Sequence, residues 1–181
     1  MLETVRQRRS VRRYLAQGID TELVEQLQDA VLRSPSSRNL QPWRFVFVTE
    51  PGLLGELSRA KASFGEFLAG APLGIVVSAD ETVSDCWVED CSIAATVLQL
   101  SATELGLGSC WIQIRGRADA DGRSAEERVR ELLDLDENMR VLSILAVGYP
   151  AQNPGPKPKD TLAWDRIEVR APAIADSENL G

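Results

Sequence analysis

The sequence predicts a domain that mixes helices and strands, and three observations carry that prediction. Stretches with apolar residues at helical spacing alternate along the chain with short runs rich in β-branched and aromatic residues. Apolar residues make up 44% of the chain and charged ones 26%, an ordinary globular composition. The 181 residues match one domain, residues 1–181, large enough to build a core, and no repeat, low-complexity tract or linker divides them.

The elements follow in order. Residues 3–9 read as a short helix leading into "RRSVRRYL". Asp20 is placed to cap a second helix over "TELVEQLQDAVLR", where Leu23, Leu27 and Val31 repeat every four residues beside Val24. That helix should stop near Ser34, because Pro35 disfavours helical backbone before it. Residues 43–49, "WRFVFVT", form a strand candidate. Thr49 offers a cap for a helix from about Pro51 towards Leu68, with proline where a missing N–H costs little. Residues 72–80, "PLGIVVSAD", predict a buried strand.

From Ser84 to Leu105 runs the longest helical pattern. Ile93, Val97 and Leu100 on one side, with Ala94, Leu98, Ala102 and Leu105 beside them, give an apolar face so broad that the helix should be covered on most sides. Gly106 then suits the left-handed residue after a helix end. "CWIQI" is a third strand. "SAEERVRELLDL" is an amphipathic helix with Ser124 as cap and Glu127 three positions on. "VLSILAVGYP" is a fourth strand with a turn at Gly148. The tail, about residues 151–181, is proline-rich and reads as extended, with a last strand at 166–170. Such a segment gains little alone in solvent, so it should pack on something, a second subunit being the natural surface.

Composition excludes several classes of function. The formal charge of −7 argues against a nucleic-acid binder. No apolar run reaches the ~20 residues that cross a bilayer, and "MLETVRQRRS" has no signal-peptide core, so no membrane association and a cytoplasmic location are expected. Cys86, Cys91 and Cys110 lack C-x-x-C spacing and read as reduced thiols rather than a disulfide or zinc site. The chain contains no histidine, which removes the usual Ser-His and Cys-His nucleophile systems. If the chain is an enzyme, a bound organic cofactor must supply the hard chemistry.

Three segments hold more polar donors than a simple connection needs. Arg6, Arg8, Arg9, Arg12 and Arg13 crowd eight residues that contain no acid, within an acidic protein. Guanidinium groups so close repel one another unless an anion sits among them, and their forked donors match phosphate oxygens. A solvated basic helix end is the plain alternative. The turn "SPSSRNLQPW", residues 34–43, combines hydroxyl, amide and guanidinium groups and reads as a solvated loop or a ligand cradle. Lys157 and Lys159, in "PKPK", fall on one side of an extended backbone.

Taken together, "RRSVRRY", "SPSSRNLQPWRFVFV", a long apolar helix ending "ELGLGSCWI", and "LAVGYP" followed by "PKPK" resemble the nitroreductase family of flavin-mononucleotide (FMN) enzymes across nearly the whole chain. The resemblance implies an α+β fold, a central, mostly antiparallel sheet flanked by helices. It also implies a homodimer with flavin sites at the subunit interface and a C-terminal extension swapped onto the partner subunit. Matched position by position, Arg8, Arg9, Ser10 and Arg12 would contact the FMN phosphate, ribityl chain and ring edge. Pro35, Ser36, Ser37 and Asn39 would serve the flavin of the opposite subunit. Trp111 and Ile112 would lie beside the isoalloxazine, with a backbone N–H near Gln113 facing N5, and Lys157 and Lys159 would stand near the phosphate.

The chain departs from the family pattern in two places: Lys159 stands where many members carry arginine, and Gln113 and Ile114 follow the Trp-Ile pair where many show glycine. The implied activity is hydride transfer from NADH or NADPH through the flavin to a small-molecule electron acceptor, nitroaromatic, quinone or similar, by a ping-pong mechanism with no side-chain catalyst. The alternatives are another branch of the superfamily (an FMN reductase, an enone reductase or a dehalogenase-like enzyme), a non-catalytic flavin-binding dimer, and a phosphate-ligand domain without flavin.

Overall fold

A strand whose two faces are both apolar must be covered on both sides, and "LGIVVSAD" sets the architecture for that reason. In the computed structural model, which describes residues 1–170, the chain runs α1 (Leu2–Gln7), α2 (Thr21–Leu32), β1 (Trp43–Val48), α3 (Pro51–Ser58), β2 (Leu73–Asp80), α4 (Trp87–Glu104), β3 (Gly108–Gln113), α5 (Ala125–Leu133) and β4 (Met139–Gly148). The four strands form one sheet in the order β1-β2-β4-β3, every neighbouring pair antiparallel. The fold is α+β, as the resemblance implied.

The two interior strands carry the burial. Leu73, Ile75, Val77 and Ala79 of β2, with Leu145 and Val147 of β4, face α2 and α4 and meet Leu27, Val31, Cys91, Ala94, Ala95, Leu98 and Ala102. Val76 of β2, Ile112 of β3, and Val141, Ile144 and Ala146 of β4 face the other way, against Leu54 and Leu57 of α3 and Val129 of α5. An irregularity between Val77 and Ser78 shifts the β2–β4 register. Such a bulge locally sharpens the twist of the pair.

Local signals place most ends correctly. Ser124 accepts a hydrogen bond from the Glu127 N–H, and Gly106 takes a positive φ of 74° after α4. Asp20 stands at the N-cap of α2, but its carboxylate accepts from the Tyr149 hydroxyl at 3.0 Å and makes no cap bond. Glu50, not Thr49, caps α3, its carboxylate accepting from the Gly52 and Leu53 N–H groups.

Four further expectations are corrected. α3 ends at Ser58 instead of running to Leu68, because a tertiary bond from the Ala62 N–H to the Ala118 carbonyl (2.9 Å) draws the chain out of helical register. Phe64 there takes a φ of 60°, and a short 3₁₀ helix, Glu66–Gly70, drops Leu68 into the core. Gly148 is the last residue of β4, paired with Gly108, rather than a turn. Its bare Cα is needed, since a Cβ would lie 2.6 Å from Pro72 Cδ.

Residues 166–170 form no strand: a 3₁₀ turn spans Trp164–Arg166, and the Trp164 indole donates to the Lys159 carbonyl at 2.9 Å, folding the segment on itself. The tail is thus only partly extended over residues 151–170, and the rest of it, residues 171–181, lies outside the described residues. Finally, α4 is not covered on most sides within the chain. Its sheet-facing residues are buried, yet Ile93 is exposed, and Val97 and Leu100 are half-covered.

Candidate functional site

The basic segment after α1 is held on the outer edge of β3. Ser10 pairs with Ser109 as an isolated parallel bridge, and the Val11 N–H donates to the Ser109 carbonyl at 2.9 Å. Gly108 makes this approach possible: a Cβ there would sit 2.8 Å from the Val11 Cβ. Tyr14 pins the far end, its hydroxyl lying 2.5 Å from the Val11 carbonyl and 3.1 Å from the Ala146 carbonyl. Burial drives the Tyr14 phenol well above its ordinary range, with Cys110 adding to the effect and Arg12 opposing it.

This docking gathers Arg8, Ser10 and Arg12 around Cys110. Burial pushes the Cys110 thiol up, while the charge of Arg12, a hydrogen bond with Ser10 and the charge of Arg8 all act in the opposite sense. Arg12 also lies over the Phe67 ring at 5.8 Å. Among the described residues no carboxylate pairs with Arg8, Arg12 or Arg13, whereas Arg6 pairs with Glu3 at 3.4 Å. Two unpaired guanidinium groups and a hydroxyl on one short segment are the donor set that an anion such as a phosphate takes.

Arg9 reaches the tail. Its guanidinium donates to the carbonyl oxygens of Pro154, at 3.3 Å, and Gly155, so it ties the start of the tail to the basic segment. Backbone bonds from Leu15 N to the Tyr149 carbonyl and from Ala151 N to the Arg13 carbonyl, both 2.9 Å, complete the tie.

Beyond Ser109 the outer edge of β3 continues past Trp111 to Gln113. The Ile114 N–H is directed at β4, donating to the Leu142 carbonyl at 3.1 Å. Antiparallel alternation then directs the N–H groups of Gln113 and Trp111 away from β4, as it does the Ser109 carbonyl. Between Gln113 and Ile114, Gln113 therefore has the outward amide. Its side chain is fixed, accepting from the Trp111 indole at 2.9 Å and donating to the Arg115 carbonyl at 3.0 Å. Ile112 is buried in the core beneath, so only its backbone lies along the edge.

The turn over residues 36–41 lies elsewhere. Arg38, Asn39 and Gln41 have φ values of 52°, 55° and 49°, a left-handed backbone that costs each of them energy. Bonds from Asn39 N to the Ser36 carbonyl, from Leu40 N to the Ser37 carbonyl and from Gln41 N to the Ser36 hydroxyl, 3.0–3.1 Å, close it. The Ser37 N–H donates to the Asp90 carboxylate at 2.7 Å, and Arg38 pairs with Asp85, so the turn rests on the start of α4. Pro35 and Asn39 are exposed, and Ser36 and Ser37 are half-buried.

One chain does not bring its three donor-rich segments together. Thr4, at the head of the basic segment, donates to Glu104 at the last turn of α4, while Ser37 is bonded to Asp90 in its first turn. Fourteen residues of helix separate the two, about 21 Å at ~1.5 Å per residue. The lysines stay with the tail: Lys159 opens a 3₁₀ turn, which ends the extended alternation that would align it with Lys157, and its ammonium lies 5.8 Å from the Trp164 ring. The bond from Ser37 to Asp90, the close approach at Gly108 and the clamp by Arg9 were not found by sequence reasoning. No local pattern signals them, because each acts on a residue distant in the chain.

Known proteins resemble this chain in sequence and in fold. The profile of the nitroreductase family matches residues 5–64 and 50–149. A relative from Archaeoglobus fulgidus, provisionally named NADH dehydrogenase/NAD(P)H nitroreductase, is 38% identical over 156 residues, covering 82% of this chain and 84% of its own. The solved FMN-dependent nitroreductase from Clostridium difficile R20291 superposes with a TM-score of 0.91 at 36% identity, over 94% of this chain and 99% of that one. A chain from Desulfovibrio desulfuricans, solved in complex with FMN, gives a TM-score of 0.74 at 27% identity, over 94% and 97% of the two chains. The sequence profile and the shared fold converge on one assignment: the chain belongs to the nitroreductase family.

Proposed function

We propose that the protein is an FMN-dependent NAD(P)H oxidoreductase acting as a homodimer, each flavin held by the basic segment of one subunit and the 36–41 turn of the other. The observation that carries this reading is the separation along α4. The turn is tied through Ser37 to Asp90 and the helix that precedes the arginines through Thr4 to Glu104, two α4 residues about 21 Å apart along the helix, and an antiparallel second copy would bring each turn to the other's arginines. Ile93 on the exposed side of α4, with the exposed Leu2 and Val5 of α1 towards the Glu104 end of that helix, supplies apolar surface for that pairing.

In this arrangement Arg8, Arg12 and Ser10 hold the phosphate and ribityl end, and Lys157 and Lys159 add positive charge from the tail. Pro35, Ser36, Ser37 and Asn39 of the opposite subunit close the cradle. The Gln113 N–H presents a fixed donor towards N5, and Trp111 lies alongside it. Bound FMN supplies hydride acceptance from NADH or NADPH and its return to a nitroaromatic, quinone or similar acceptor. The chain contributes position and electrostatics: guanidinium groups fix the anionic end, and outward amides steady negative charge on the ring. With no histidine in the chain, water or the flavin itself would deliver the protons for the product. A ping-pong order follows if one pocket receives both partners in turn, and a cytoplasmic location fits a helix set in which none is long and apolar enough to cross a membrane, among the described residues.

Purified protein should be a yellow dimer absorbing near ~450 nm, bleached anaerobically by NADH or NADPH and recoloured by an acceptor. Colour that resists both nucleotides would favour a non-catalytic flavin carrier. A colourless monomer that takes up no added FMN would end the reading.

A further inference from the structure

Asp90 is the most buried carboxylate near the candidate site, and no cation pairs with it among the described residues. It is 2% exposed, at the first turn of α4. Its two oxygens are divided between two elements. One accepts the Ser37 N–H at 2.7 Å, and the other accepts the Ser84 hydroxyl at 3.1 Å. Ser84, itself buried, accepts in turn from the Cys86 N–H at 3.2 Å, at the N-cap of α4. A continuous chain of hydrogen bonds thus links the N-terminus of the long helix to the backbone of the 36–41 turn.

A carboxylate taken out of water without a cation is unfavourable, so its position needs a reason. A turn with left-handed backbone at Arg38, Asn39 and Gln41 relaxes unless its surroundings fix it. The bonds within the turn join its own residues to one another and do not anchor it to the rest of the chain. The other external tie, Arg38 to Asp85, is between exposed side chains, and pairs of that kind hold little. Among the described residues Asp90 supplies the one buried external anchor, and it grips the backbone of Ser37 rather than a side chain.

We infer that Asp90 is a positioning residue: through the Ser37 N–H it holds the 36–41 turn in the strained shape that presents Ser36, Ser37 and Asn39 to the ligand. This inference deepens the flavin reading above and rests on it for the identity of the ligand, but the hold on the turn is a property of the chain alone.

The test compares Asp90→Ala, Asp90→Asn and Ser84→Ala in the full-length chain with two readouts. Amide exchange at Ser37, measured without flavin, should quicken about tenfold or more in Asp90→Ala, about two- to threefold in Ser84→Ala, and stay close to the unaltered rate in Asp90→Asn, whose amide oxygen still accepts the bond. FMN affinity, titrated by flavin fluorescence, should weaken in the same order, with Asp90→Asn restoring most of it. Ser37 exchange unchanged in Asp90→Ala and Ser84→Ala overturns the inference. So does flavin affinity unchanged while exchange quickens, or Asp90→Asn as impaired as Asp90→Ala. Should Asp90→Ala not fold, Ser84→Ala and Asp90→Asn decide alone by the same criteria. An unaltered chain that binds no FMN defeats the flavin reading, and Ser37 exchange then judges the hold on the turn.

Discussion

The guanidinium of Arg9 donates to the carbonyl oxygens of Pro154 and Gly155, 145 and 146 residues further along the chain. A charged donor shared by two main-chain acceptors fixes the direction in which the tail leaves the sheet, which in turn sets where Lys157 and Lys159 begin. Replacing Arg9 with alanine should therefore loosen residues 151–156 more than it weakens ligand binding. Hydrogen exchange over that segment should quicken, with a stability loss of about 1–2 kcal/mol. Equal exchange in both proteins would show that the tail path is set elsewhere.

Arg12 has a different task. Its charge reaches Cys110, its guanidinium lies over Phe67, and no described carboxylate neutralises it. Arg12→Ala should lower FMN affinity by about tenfold, the scale of one lost charge-assisted contact, and make binding less sensitive to salt. Titration of flavin-free protein at two ionic strengths checks both, and full flavin retention in the variant would remove Arg12 from the site.

The contact between Gly108 and Val11 couples fold to site. Gly108→Ala would place a methyl 2.8 Å from the Val11 Cβ and push the basic segment off the β3 edge. The expected cost is about 1–3 kcal/mol in stability, together with weaker FMN binding, since Ser10 and Arg12 flank Val11. Denaturant unfolding and flavin titration on the same sample measure the two. Weakened stability with unchanged flavin affinity would separate the segment from the ligand.

The chain should be sensitive to alkali. Burial first, and the nearby Asp90 charge second, push the Cys91 thiol from its ordinary 9.0 up to about 12. The folded chain then keeps a proton that the unfolded chain releases, so the contribution is whole below pH 9 and is lost as pH rises towards 12. Each such group removes about 1.4 kcal/mol per pH unit in that window. Unfolding by urea at pH 8 and pH 10 should show the fall, and Cys91→Ala should shrink it even though the variant is less stable at both. A fall of the same size in Cys91→Ala would assign it to other groups, with Cys110 next in line.

Sequence reasoning was most reliable where a signal and its effect lie within a few residues of each other. The serine cap of α5, the glycine ending α4 and the apolar run of β2 were all placed closely, because capping and periodicity are local physics. It was least reliable where a distant backbone group competes. The expected helix beyond Ser58 yields to the Ala62–Ala118 bond, and the carboxylate expected to cap α2 turns to Tyr149 instead. The expected strand at 166–170 pairs with neither edge of the described sheet, and the Trp164 indole folded the segment before it back on the Lys159 carbonyl.

By itself the sequence determined the order and kind of the helices and strands as far as β4, the absence of histidine chemistry, and the set of donors on offer, since each depends mainly on residue identity and near neighbours. Tertiary structure alone decided which donors meet: Arg8, Ser10 and Arg12 around Cys110, Arg9 on the tail, Gln113 outward, and the 36–41 turn at the far end of α4. Those relations span 53 to 146 residues where a hydrogen bond marks them. Only packing of the sheet and α4 brings such residues within the roughly 3 Å over which a hydrogen bond acts.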